Sequence, residues 1–477
     1  MIRPLLAILL MIAPLAASAL DDETEARLRM AHQIARERND ATLVERVKGT
    51  AAKIEEGLDA TAAEALLREV ESAVGIDPGG WSMAGQPVFH PSREREAGTR
   101  TVGPKLKAAL AAESVEGVEA AVAEWLAVLG DQAGVPDGRR PGAKPGPLSL
   151  DEAAATRLFL DALTSEGRAV RELTASRPLP GQMLRFYAYV LEGLATIRPS
   201  VERHAADSLD ELDALATGTA SILTNLQQPD GHFPFPDLRG RNLRFGDMIK
   251  KQLAAGTIEL RDGWVITADP DGGTQFDTGL CGAALLKAGK VWANSSWTAA
   301  GLRAADWATG QACVANFNYN AFSVSLLCEA FTVSGKSGYL DAALAKFRLG
   351  VAPGQAPNGR WIDPHNARTV YHIIILRAIG DLLDVLPADR SAEFAEVKAV
   401  ADPAVSALLD EFDAMGITVE CLPELMPLLP HLGNQDRFRA ALDRVAASLV
   451  EKCTDGTRVK MGAQPHQLAA VVESTGK

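Results

Sequence analysis

Apolar residues recur three and four positions apart along most of this chain, and the strict alternation that marks a half-buried strand is scarce. Residues 21–74 are rich in Ala, Glu, Arg and Leu at helical spacing, and 105–129 form a second helical stretch. Between them, 75–104 is polar and dense in Gly and Pro and reads as a long connection. GVPDGRRPGAKPGP (134–147) is too rich in Pro and Gly for any regular element. Helical patterning resumes at 148, and its clearest helices come in pairs: 278–292 with 296–311, 320–334 with 339–350, 366–386 with 392–412, and 419–432 with 436–452. VYHIIILRAI (370–379) is apolar almost all round, as a helix between two layers must be, whereas 340–347 carries one apolar stripe and suits an outer layer. An all-α fold follows. Repeating units of roughly 40–50 residues, one buried helix and one exposed, predict an α-solenoid or a closed ring.

The loops separate those two readings. Four are long, unequal and rich in Asp, Asn, His, Tyr and Trp: 227–237, 269–279, 313–320 and 353–366. Each follows the second helix of one pair and precedes the first of the next, so all four are expected at one end of the assembly. The stretches NLQQPDGHF, DTGLCGAALL, GYLDAALAKF and PNGRWIDPHN, with this loop style, resemble the α/α-toroid carbohydrate-active enzymes, which include several polysaccharide lyases and glycoside hydrolases. The resemblance spans about residues 208–432 and matches no single family. It implies an incomplete or closed α/α toroid of stacked helix hairpins over 148–477, preceded by an N-terminal helical region at 20–147.

The first 22 residues, MIRPLLAILLMIAPLAASALDD, place Arg3 before an apolar run from Leu5 to Leu15 and the small residues Ala17-Ser18-Ala19. That order predicts a cleaved secretory signal over 1–19 and a periplasmic or secreted protein, with no stable membrane insertion after cleavage. The 477 residues carry 61 acids and 48 bases, a net charge of −13, which argues against non-specific nucleic-acid binding. In an oxidising compartment the five cysteines invite pairing. Cys281 and Cys313 are 32 residues apart, as are Cys421 and Cys453, which predicts two staples across helix hairpins and a free Cys328. No CxxC, Walker loop, GxSxG, HExxH or EF-hand pattern is present, so neither metal nor cofactor is expected.

NGRWIDPHNARTVYH (358–372) is the richest segment for chemistry. With Asn366 as a cap, Arg368 and His372 would share one helix face beside Tyr371, and Asp363 and His365 would sit in the loop before. NFNYN (316–320) adds Asn316, Asn318 and Tyr319. QQPDGHF and FPDLRGRNLRF bring His232, Arg239 and Arg241 to one loop as a local positive patch, and Asp277 precedes a helix in GGTQFDTG. Each has a plain structural alternative: cap, turn, or solvated ion pair.

These types fit removal of the proton next to a uronate carboxylate, with Arg368 and Asn318 on the carboxylate, Tyr371 and His365 moving protons and His372 supporting them. Arg239, Arg241, Asn316, Tyr319, Trp361, Asp277, Asp363 and His232 are the expected binding residues. The expected function is a polysaccharide lyase acting on an acidic polysaccharide or oligosaccharide substrate. A glycoside hydrolase using Asp277 and Asp363, or a non-catalytic toroid that binds glycan or protein, are the alternatives.

Overall fold

The computed structural model describes residues 24–475, apart from 25–26, 29–30, 33–34, 36–39, 75–92, 131–132, 136–141, 149, 180, 240–242, 269–271, 434 and 455–464. The signal segment 1–19 and Arg241 lie outside the described residues. The chain divides into two compact units, 1–92 with 136–141, and 93–135 with 142–477. Among the described residues, no helix is long and apolar enough to cross a membrane.

In the smaller unit, helices α1 (Ala41–Glu55) and α2 (Ala60–Ala73) begin on the side chains of Asp40 and Asp59, which accept backbone N–H groups left unpaired at a helix start. Val47, Ala51, Leu67 and Val70 close a small core with Leu28, Ala31 and Ala35. Arg27 is buried at its edge, with Nε donating to Glu71 and Nη1 to Glu64, both at 2.6 Å.

The larger unit opens with α3 (Arg93–Ala111) and α4 (Val115–Leu129). The sequence placed residues up to 104 in a connection, but α3 runs through Pro104. The missing proline N–H removes one backbone bond, while Val102, Leu106 and Leu110, spaced by four, bury a continuous stripe across it. Both helices contribute to the core of this unit, ahead of residue 148.

Then follow α5 (Glu152–Ser165), α6 (Gly167–Thr174), α7 (Leu184–His204), α8 (Leu209–Leu226) and α9 (Leu243–Ala254). A small antiparallel sheet, β1 (Phe235–Pro236), β2 (Leu260–Arg261) and β3 (Trp264–Val265), has β3 in the middle. Next come α10 (Gly273–Val291), α11 (Ser295–Thr309), α12 (Phe317–Ser334), α13 (Ser337–Gly350) and the single turn α14 (Pro364–Ala367). The rest are α15 (Thr369–Val385), α16 (Ser391–Met415), α17 (Leu422–Leu425) with a 3₁₀ segment (Met426–His431), α18 (Gln435–Thr454) and α19 (Pro465–Thr475).

Helices α7, α10, α12 and α15 pack side by side in that order. The α17 segment and its 3₁₀ extension pack on α15, α19 packs on α17, and α19 packs in turn on α7. Helices α8, α11, α13 and α16 each lie on the central helix that precedes them, and α18 and α5 flank α17 and α19. Two helices meet backbone to backbone at Gly193 of α7: a Cβ there would lie 2.6 Å from the Pro465 carbonyl carbon.

A repeat that no single residue announces fixes two of the long loops. Gln227-Gln228-Pro229-Asp230-Gly231-His232-Phe233 and Gln355-Ala356-Pro357-Asn358-Gly359-Arg360-Trp361 form the same turn. Gln227 Nε2 donates to the Gly231 carbonyl and to Ala300 of α11, both at 2.9 Å. Gln355 Nε2 donates to Gly359 at 3.2 Å and to Val400 of α16 at 2.9 Å. Asp230 and Asn358 each accept the backbone N–H two residues on, and Phe233 and Trp361 are buried beneath. Each turn thus clips a loop to the outer helix of the pair it leads into.

All five cysteines are free thiols, so the expected staples are absent. The reason is the true start of α10: Gly273, not 278, which puts Cys281 eight residues, about 12 Å, into the helix rather than at its end. Cys313 instead directs Sγ toward the Lys346 carbonyl, 4.0 Å away. Burial pushes the Cys281, Cys328 and Cys421 thiols well up.

Thiol counting on unreduced protein unfolded in denaturant should therefore find five reactive thiols; a count of one would restore both staples. Gly231 and Gly359 have φ of +105° and +81°, and a Cβ on either would lie 2.2 Å from the Arg303 or Pro403 carbonyl oxygen. Gly231→Ala and Gly359→Ala should each cost on the order of 2 kcal/mol or more in urea unfolding. Gly256→Ala, at positive φ with open space around it, should cost about 1 kcal/mol.

Candidate functional site

The long loops lead into the N-terminal ends of α10, α12 and α15, so the first two turns of these neighbouring helices bring their side chains to one end. Arg185 of α7 forks onto Asp277 of α10, Nε to Oδ1 at 3.0 Å and Nη2 to Oδ2 at 2.9 Å. Its guanidinium carbon lies 3.8 Å from the ring centre of Phe276. Phe276 meets Tyr319 and Phe322 of α12 edge-on, at 6.1 and 4.1 Å. Burial works against the Arg185 charge, and Asp277 more than offsets it, so its pKa is raised. Although protein surrounds it, the Arg185 side chain keeps 30% of its exposure, whereas Asp277 keeps 4%. Solvent therefore reaches Arg185 but not the Asp277 carboxylate that holds it.

The amide cluster is bonded within itself. Asp363 accepts the Asn366 backbone N–H at 2.9 Å and Nδ2 at 2.8 Å. Asn366 Oδ1 accepts the Asn318 N–H at 3.1 Å and its Nδ2 at 2.7 Å, and Nδ2 of Asn318 also donates to Asn316 at 2.7 Å. This chain ties the start of α12 to α14. Burial pushes the Asp363 carboxyl up, against its hydrogen bonds from Asn366.

The helix expected from 366 is broken at Arg368, whose extended backbone (φ −59°, ψ 141°) separates α14 from α15. Pro364 and the Asp363 cap start a turn that ends at Ala367, so Arg368 and His372 do not share a helix face. His372 is buried, with Nε2 2.9 Å from the Ala404 carbonyl and its ring against Trp361. His365 and Tyr371 remain together, their rings stacked 3.9 Å apart. Trp361 is fully buried, donating to the Val351 carbonyl at 2.9 Å. His232 is wedged between Asp230, 2.6 Å from Nδ1, and the Ile266 carbonyl, 3.1 Å from Nε2. Arg239 is forked onto its neighbour Asp237.

The residues that sequence reasoning missed lie deeper. RFYAYVLE places Arg185, Tyr189 and Glu192 four and three apart on α7, a polar stripe in an otherwise apolar helix, and that spacing was the available signal. About 10 Å along α7 from Arg185, Glu192 accepts from Arg377 of α15 and, at 2.8 Å, from Lys287 of α10. Lys287 also pairs with Glu329 of α12 at 3.4 Å, and Arg377 with Asp381 at 3.8 Å. Burial opposes the Glu192 charge, but Arg377 and Lys287 hold its carboxyl well below the usual range. With three carboxylates on two cations, Asp381 goes short, and burial pushes it up to about 6.

Compared with known proteins, the chain matches no family model and no curated sequence, so the chemistry of the site rests on its own residues.

The Asp381 shift has a stability consequence. Between the ordinary value of 3.8 and about 6, the folded chain holds a proton that the unfolded chain has released, so stability falls as pH rises through that window. Asp381→Asn should therefore raise the melting temperature at pH 7.5, with the two proteins converging near pH 4 in parallel thermal melts.

Proposed function

We propose that the central segments close into an α/α toroid, and that the protein is an exported polysaccharide lyase cleaving a uronate-containing glycan by β-elimination. Support for the ring comes from the unbroken series of neighbours α7, α10, α12, α15, α17, α19 and back to α7. The observation that carries the activity is the Arg185 guanidinium. Asp277 takes one edge of it, and among the described residues nothing hydrogen-bonds Nη1, which leaves donors for a substrate carboxylate on the wetted wall beside Tyr319. An acidic polymer processed outside the cytoplasm also fits the leader expected at 1–19.

In the reaction, Arg185 binds the uronate carboxylate and stabilises the negative charge that develops on it. Tyr319, edge-on to the Phe276 ring that the guanidinium covers, takes the proton from the carbon bearing the carboxylate. The electron pair forms a double bond to the next carbon, whose bond to the glycosidic oxygen breaks, and that oxygen leaves with a proton. The stacked His365 of α14 and Tyr371 of α15 hold a neighbouring sugar. What weighs against the hydrolase reading is that both Asp277 oxygens accept from Arg185 while Asp363 caps Asn366.

Incubation with a panel of polyuronates and neutral glycans should give the ultraviolet absorbance of an unsaturated uronate from an acidic polymer only. Tyr319→Phe and Arg185→Ala should lower turnover by about 10²–10⁴-fold, whereas Tyr371→Phe and His365→Ala should chiefly raise KM. Saturated product ends would make the protein a hydrolase, and glycan retained unchanged would make it a binding protein.

A further inference from the structure

Tyr189 is the polar group of this interior that the reaction above leaves unused. It projects from the same face of α7 as Arg185 and Glu192, one turn from each. Its ring lies flat on the imidazole of His466, with centres 4.2 Å apart and planes inclined by 14°. His466, the second residue of α19, is fixed in turn: Nε2 lies 3.3 Å from Oε1 of Glu424 on α17. Gln467 Nε2 donates to Oε2 of Glu424 at 2.8 Å, and Gln467 Oε1 accepts the Leu422 N–H at 2.9 Å. Three elements thus hold one phenol ring in place.

The hydroxyl at the end of that ring has no such partner. Among the described residues nothing hydrogen-bonds it, although a tyrosine whose ring is packed this closely ordinarily finds a partner. Tyr187, two residues earlier, shows the usual case, its hydroxyl accepting the Leu179 N–H at 2.6 Å. Tyr189 is only half-buried, on the same α7 face on which the Arg185 side chain keeps its exposure.

We infer that Tyr189 is the proton donor to the departing glycosidic oxygen, held in place by His466 and Glu424. This rests on the β-elimination reading and names the group that its last step requires. As the bond from carbon to the glycosidic oxygen breaks, the Tyr189 O–H passes its proton to that oxygen, which leaves as a hydroxyl. The phenolate left behind is stabilised by Arg185 one turn away and takes a proton from water before the next turnover. Burial, with Glu424 and Glu192 nearby, pushes the Tyr189 phenol up, which keeps the proton on it until a leaving group demands it.

The leaving group provides the test. On the natural glycan, Tyr189→Phe should lower kcat by about 10²-fold or more with KM nearly unchanged. On a uronate whose departing group is 4-nitrophenoxide, which needs no proton, the same variant should lose only a few-fold. His466→Ala should lower kcat about tenfold at constant KM, and His466→Phe, which keeps a flat ring under the phenol, should recover most of it. Equal losses on both substrates, or full activity of Tyr189→Phe on the glycan, would overturn the assignment while leaving the lyase reading intact. Wild-type protein that forms no unsaturated product from any acidic glycan would end both.

Discussion

A primary amide with two N–H groups, set between two carbonyls, is the interaction on which the larger unit depends. Gln227 and Gln355 each join the carbonyl of a tight turn to the carbonyl of an outer helix. Helix carbonyls are already engaged within their helix, and the second bond uses a remaining lone pair, so the loop docks without unravelling anything. Glycine is required at the turn because its φ is positive and the helix backbone passes where a Cβ would stand. With the loops held, the central helices that follow start at defined points, and the side chains of their first turns come to one level.

Inside that frame the polar residues must satisfy each other, because closely packed helices leave few solvent partners for a buried side chain. Polar groups are layered along the central helices. Near the helix starts an arginine and a carboxylate pair bidentately, and two turns below them several charges compensate one another imperfectly. Between these layers stands the phenol of Tyr189. The imbalance of the lower layer falls on one carboxyl, Asp381, rather than being spread over three, because Glu192 sits between both cations and takes the better geometry.

Much of the helical architecture was legible in the pattern of apolar residues. Helices such as α11 (Ser295–Thr309) and α13 (Ser337–Gly350) lie within a residue or two of where periodicity places them. Errors came at helix starts, where capping decides. Extending α10 back to Gly273 removed the geometric basis for a disulfide, and the break at Arg368 redirected His372 into the core. The site was legible only in part. Loop residues such as His232 and Trp361 drew attention by their chemistry, yet they brace turns, while Arg185, Tyr189 and His466 lay within helices whose apolar neighbours concealed them. The repeated clip was hidden for another reason: only its Gln, Pro and Gly are identical between copies, and the partner carbonyls on the outer helices carry no sequence signal.

Gly193 gives α7 a bare patch of backbone on which the start of α19 rests, so this contact is a matter of close approach rather than side-chain interlock. It joins two helices separated by most of the larger unit, which makes it among the most expensive contacts in loop-closure entropy and the slowest to search for. That contact also brings the wall bearing His466 against Tyr189. With α19 undocked the carboxylates and cations behind it would be solvated, so its docking carries their desolvation cost. A side chain at position 193 would hold the two backbones apart and loosen the seal over that polar interior.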